Sequence, residues 1–201
     1  MSPPALGVVA RPSRRTVLLR VAVLAVLAVL VVVVKAGGLL SSPPPEAPPM
    51  PGGAVVVPGV LRATAPGESD LVLLRDTFGV RTVVAVTRAG VEEQATARAL
   101  GLRLVELAVG ADGVPTPAQV ATVLGLPGPV FLHDDTGDGV VAVLAGMVQL
   151  VRGVPAADVA ARLTPAETGR LTPEQRRALA DVAGAVDGSR PGSPYAVLRG
   201  R

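Results

Sequence analysis

From Pro129 to Val140 the chain reads Pro-Val-Phe-Leu-His-Asp-Asp-Thr-Gly-Asp-Gly-Val. Its apolar start, Pro129 to His133, reads as a buried strand, and the apolar run from Val140 to about Leu150 reads as a helix. Between them lies an acidic loop with glycines at 137 and 139. A glycine loop between a strand and a helix N-terminus gathers backbone N–H groups where an anion can be held. The rest of the chain must supply a sheet for that strand to join.

Val55–Leu61 offers a first strand or a pair of short strands, Val80–Val86 a strand rich in β-branched residues, and Leu102–Val109 another. Helices fall between them. One spans Asp70–Phe78 behind an N-cap at Ser69 and is closed by Gly79; the next spans Val91–Leu100 and is closed by Gly101. A short one runs toward Leu124, with Thr116 as cap and Pro117 at its first position. Two more are expected, Ala156–Arg162 and Pro173–Val186, the latter behind Thr172. Strands alternating with helices predict an α/β fold with a mainly parallel central sheet flanked by helices, its site beyond the carboxyl ends of the strands. The expected folded domain covers 55–163, followed by a C-terminal helix within 164–186 and a disordered tail, 187–201, rich in Gly, Pro and Arg.

The first 54 residues are of another kind. Val21 to Val34 is an unbroken run of Val, Leu and Ala, and after Lys35 the apolar character continues to Leu40. Residues 20–40 make a helix of about 20 residues and about 30 Å, the depth of a bilayer core. Arg11, Arg14 and Arg15 precede this expected transmembrane helix, and only Lys35 lies just beyond its apolar run before Arg62. The positive-inside rule therefore places residues 1–19 in the cytoplasm and the main domain outside the membrane. A small-residue segment at Ala36-Gly37-Gly38 offers the alternative of a cleaved signal peptide. Residues 41–54, dense in proline, read as an extended linker.

Removing Arg11, Arg14, Arg15, Arg20 and Lys35 from the 19 basic residues leaves 14 against 16 acidic ones. A basic footprint for nucleic acid is therefore missing. Phe78, Phe131 and Tyr195 are the only aromatic residues, too few for a base-stacking platform. With no cysteine, thiol nucleophiles, disulfides and thiolate metal sites are excluded. No cofactor motif stands out. The expected partners are the membrane and a protein of unknown identity.

The strand, loop and helix at 129–150 resemble the phosphate loop of the cysteine-dependent tyrosine and dual-specificity phosphatases. That family's pattern is His-Cys, five residues, Arg, and usually Ser or Thr. His133 and Gly137 match it; Asp134 stands at the cysteine position, Val140 at the arginine and Val141 at the hydroxyl. The order of Pro58–Arg62, Phe78–Val84, Gly101–Glu106 and Pro129–His133 also resembles compact bacterial dual-specificity phosphatases, over about a hundred residues. The resemblance implies a dual-specificity phosphatase-like domain with its phosphate loop at His133, Asp134, Asp135, Thr136, Gly137, Asp138, Gly139 and Val140. It places the general-acid loop at Asp112 and implies that His133 orients the phosphate loop through backbone hydrogen bonds.

Catalysis in the family needs a thiolate, an Arg fork and loop amides. A unit charge pair at 4 Å is worth about 4 kcal/mol at an effective dielectric of 20. Exchanging attraction by Arg for repulsion by Asp134 is thus a swing of roughly 8 kcal/mol per unit of phosphate charge, against which a helix dipole returns about 0.3–2 kcal/mol. The expectation is that Asp134 satisfies the loop amides itself and that catalysis is lost, leaving a membrane-anchored binding or scaffolding module. The alternatives are a phosphoester hydrolase using Asp134 with a metal or an unusual substrate, and a structural envelope protein. Asp134, Thr136, Asp138 and Gly139 resemble the start of an EF-hand loop, but Ala145 stands where its closing Glu belongs, so no metal site is assigned. Asp112, before Gly113, also suits an ordinary turn.

Overall fold

In the computed structural model the described residues are 47–110, 112–137 and 139–198. The expected transmembrane helix, the N-terminal segment before it and most of the linker lie outside them. Among the described residues no helix is long and apolar enough to cross a membrane.

Val57-Pro58-Gly59-Val60 makes a tight turn, with proline's fixed φ followed by Gly59 at φ +81°. It joins β1 (Ala54–Val57) to β2 (Val60–Thr64) as an antiparallel pair. Three more strands follow: β3 (Thr82–Ala85), β4 (Arg103–Glu106) and β5 (Val130–Asp134). The sheet order is β1-β2-β5-β3-β4, and every pairing beyond the first is parallel. The sheet is therefore mixed: the expected parallel array carries one antiparallel edge strand, made by the short pair at 54–64.

Helices α1 (Glu68–Asp76) and α2 (Val91–Ala99) cover one face, burying Leu71, Leu74 and Ala97 with Leu61, Val83 and Phe131. The other face carries α3 (Pro117–Gly125) and α4 (Val140–Val151), followed by α5 (Ala156–Arg162), α6 (Pro165–Arg170) and α7 (Pro173–Asp187). Every residue of α4 from Val141 to Val151 is buried, because the sheet, α3, α5 and α7 surround it. Strand periodicity sorts β5: Phe131 goes to the α1/α2 face and Leu132 to the α4 face.

Several boundaries differ from expectation for local reasons. Helix α1 starts two residues early, capped at Gly67 rather than Ser69, because the Asp70 carboxylate reaches back to accept the Gly67 N–H at 2.9 Å. Helix α6 was not expected at all. It is capped by Thr164 with Pro165 at the first position and Glu167 closing the box, the Thr-Pro-x-Glu/Gln device that also starts α3 and α7. The tail, expected to be disordered over 187–201, folds back in its described part, 188–198. Gly188 turns the chain at φ +84°, and a 3₁₀ helix at Pro194–Leu198 buries Tyr195 and Leu198 in the α4 core. The Tyr195 hydroxyl donates to Pro115 O at 2.7 Å. At the other end, Met50 is buried and the Thr64 N–H donates to Pro51 O, so the last part of the proline-rich segment packs on the domain.

Candidate functional site

Strand β5 delivers His133 and Asp134 to the carboxyl edge of the sheet, between neighbours β2 and β3. Those neighbours send α1 and α2 to one face, whereas β5 sends α4 to the other. Such a reversal opens a crevice at the strand ends. The strand's two-residue period also parts the two side chains: His133 shares a face with Phe131 and α2, and Asp134 turns toward α4.

Asp134 is 4 % exposed. Its Oδ1 accepts from the N–H groups of Gly137 at 2.5 Å and Thr136 at 3.1 Å, and from the Thr136 hydroxyl at 3.4 Å. Its Oδ2 accepts from the Val141 N–H at 3.0 Å. Gly139, the residue before α4, has no side chain to cap the helix, and the first turn of α4 holds no acidic residue. The carboxylate of Asp134 therefore takes the place of a cap, bonding an otherwise open N–H and facing the positive end of the helix dipole. The sequence expectation that Asp134 satisfies the loop amides is met at Thr136, Gly137 and Val141.

The loop is held from outside. Gly137 takes φ +75°, and a Cβ there would come within 2.8 Å of Thr64 N, so this position admits only glycine without strain. Gly52 packs so closely that its own Cβ would lie 3.1 Å from Gly137 O. Arg62, 7 % exposed on β2, donates to Gly137 O at 3.3 Å and pairs with Glu167 of α6 at 2.6 Å. A guanidinium thus does reach the loop, but it meets a carbonyl and is already neutralised by Glu167. Neither Arg62 nor its partner Glu167 is among the site residues expected from the sequence. The Thr-Pro-x-Glu cap at 164–167 was the available signal.

Val140, at the position of the family's arginine, opens α4 beside the loop that carries Asp112: a Cβ on Gly113 would lie 3.2 Å from Val140 Cγ2. Gln175 of α7 ties that loop down by donating to Gly113 O at 3.2 Å. Asp112 is exposed, and its carboxylate accepts the Val114 N–H at 3.1 Å, a turn-closing contact. Asp135 and Thr136 are exposed, and Asp138 lies outside the described residues.

His133 departs from expectation. It makes no hydrogen bond to the loop backbone; instead Nε2 lies 2.8 Å from Glu93 Oε1 of α2, and the ring stacks on Phe131 with centroids 5.8 Å apart. The Nε2–Oε1 approach has ion-pair distance without hydrogen-bond alignment. Glu93 Oε1 and both ring nitrogens consequently have no hydrogen-bond partner among the described residues. The alternation of β5 is the physical cause: with Asp134 turned to α4, His133 faces α2. Among the described residues no three His, Cys, Asp or Glu side chains converge as a metal-ligand set.

No protein-family model and no curated protein matches the chain. Solved structures do. The core catalytic domain of the PP-IP phosphatase SIW14 from S. cerevisiae superposes with a TM-score of 0.58 at 11 % identity, over 67 % of this chain and 87 % of that one. A putative phosphatase from Shewanella putrefaciens gives 0.52 at 18 % identity, over 68 % and 93 %. TpbA from P. aeruginosa gives 0.51 at 21 % identity, over 71 % and 87 %. The chain therefore has a dual-specificity phosphatase-like fold.

Proposed function

We propose that the protein is a membrane-anchored phosphatase-like module without catalytic turnover, acting by binding rather than hydrolysis. The observation that carries this reading is the Asp134 carboxylate bonding the N–H groups of Thr136, Gly137 and Val141. In a working phosphate loop those N–H groups hold the substrate's oxygens. Here three of the loop's N–H groups are occupied by a side chain that is also negatively charged, and Val140 stands at the arginine position, so an incoming phosphate meets a carboxylate and no arginine of the loop. Asp134 has both oxygens engaged, which leaves it poorly placed to attack phosphorus. Asp112, even as a proton donor, has no nucleophile to serve.

The anchor rests on the apolar run at 20–40 and the arginines before it. In this reading the domain lies outside the cytoplasmic membrane and binds its partner there.

The test is direct. The full chain, purified in detergent, should not turn over p-nitrophenyl phosphate or a phosphotyrosine peptide between pH 4 and 9. Turnover that disappears in Asp134→Ala would establish the hydrolase instead. Protease added to intact cells should remove the C-terminal domain, and complete protection would reverse the orientation.

A further inference from the structure

A cavity of about 670 Å³ opens on the face of the sheet away from the Asp134 nest, between the start of α1, the start of α2 and the end of β5. That volume lies within the range that holds small-molecule ligands. Its charged lining is Glu68, Arg88, Glu92, Glu93, His133 and Asp135. Gly67 and Gly90, the caps of α1 and α2, also border it, and each helix end brings about half a positive charge. Four carboxylates outweigh those two ends and Arg88, so the cavity favours a cation.

The polar floor is what makes this cavity a site. His133 is 2 % exposed, and the Glu93 side chain is 10 % exposed. Among the described residues Glu93 Oε1 and both His133 nitrogens have no aligned hydrogen bond, although Oε1 and Nε2 lie 2.8 Å apart, and both side chains line the cavity. Buried polar groups left unbonded are costly, so such atoms at the bottom of an open cleft mark where a ligand supplies the missing bonds. An ammonium group has three donors and one charge. It can give one hydrogen bond to Glu93 and one to Nδ1 of His133, whose Nε2 already faces Glu93 at 2.8 Å. A divalent metal is less suited, because no three candidate ligands converge among the described residues.

We infer that this cavity binds a small organic cation bearing a primary ammonium, with Glu93 as its counter-ion and His133 as its hydrogen-bond acceptor. The inference is independent of whether Asp134 hydrolyses anything, since β5 sends the two side chains to opposite faces.

His133 is the only histidine, so its imidazole resonances identify themselves in the full chain in detergent. Titration with 1,4-diaminobutane should move them saturably. Glu93→Gln should weaken binding by about tenfold or more, the effect of losing one charge-assisted hydrogen bond. Ala95→Phe, at an exposed lining position, should weaken it as well by closing the mouth without touching the polar pair. Parallel titrations use magnesium chloride and sodium sulfate. No saturable shift with the diamine would overturn the inference. So would equal binding by both variants, or a saturable response to magnesium or sulfate alone.

Discussion

Replacing Asp134 by alanine removes one carboxylate and strands several donors at once. The N–H groups of Gly137 and Val141 belong to buried residues, whereas Thr136 is exposed and can turn to water. Each buried unsatisfied N–H costs about 1–3 kcal/mol, and the lost charge at the α4 N-terminus adds about 0.3–2 kcal/mol. Water entering the vacated nest recovers part of this, so a net loss near 3 kcal/mol is expected, a large share of a domain's usual 5–15 kcal/mol. At roughly 2–4 °C per kcal/mol the melting temperature should fall by about 6–12 °C. The vacated nest should then accept an oxyanion. With a dissociation constant of about 1 mM, sulfate at 100 mM would return about 2.7 kcal/mol to the variant and nothing specific to the parent. Tyr195 is the only tyrosine and there is no tryptophan, so tyrosine fluorescence in urea follows the domain in the full chain. Sulfate's general salting-out stabilisation acts on both proteins alike and cancels when the variant's gain is compared with the parent's, while chloride of equal ionic strength controls for screening. An Asp134→Ala variant as stable as its parent would refute the capping argument. A variant that is weakened but gains no more from sulfate than the parent would refute the claim that this carboxylate occupies an anion site.

Other perturbations separate the loop's supports. Gly137→Ala should lose about 1–3 kcal/mol from its positive φ and its approach to Thr64 N, read from the urea midpoint. Glu167→Gln leaves Arg62 buried without its counter-ion and should cost about 3–5 kcal/mol, while the double change Arg62→Met with Glu167→Leu should cost less than the single one. Burial pushes the Tyr195 phenol above its ordinary value, and the Asp181 and Asp112 carboxylates push the same way. A group whose value is raised on folding contributes stability that is whole below its unfolded value, about 10, and is lost as pH climbs through the folded one. Stability should therefore fall above about pH 10 in the parent and less steeply in Tyr195→Phe, with absorbance at 295 nm reporting the ionisation itself.

How much was legible in the sequence follows from what kind of force sets each feature. Periodicity and capping are local, so the β-branched strand at 82–85 and the helix at 156–162 could be read directly, as could the Thr116 and Thr172 caps. Helix α6 carries the same Thr-Pro-x-Glu signature and was readable by the rule that found its two siblings. The fold of the tail was not, because Tyr195 and Leu198 are isolated apolar residues whose burial depends on a core built elsewhere. The role of Asp134 was legible from the loop alone, since its donors lie two, three and seven residues away. The pairs Arg62–Glu167 and Glu93–His133 join residues far apart in sequence, and only the sheet order brings them together.

The loop's shape does not depend on the residues that would do chemistry. Its backbone is set by Gly137, by the close approach of Gly52 and Thr64, and by Arg62 gripping the Gly137 carbonyl under the hold of Glu167. None of these lies at position 134 or 140. Substitution at those two positions therefore leaves the frame standing, provided the amides inside it still find an acceptor. A bound phosphate does this only while present, whereas a carboxylate tethered at 134 does so permanently and also caps α4. A short side chain is required, because the acceptor must sit within one loop's width of its own backbone, and Asp meets that limit. An amide in its place would keep one acceptor oxygen but turn its NH₂ toward one of the N–H groups, setting donor against donor. Asp134→Asn should therefore fall between the parent and Asp134→Ala in stability, a ranking that simple charge removal would not produce.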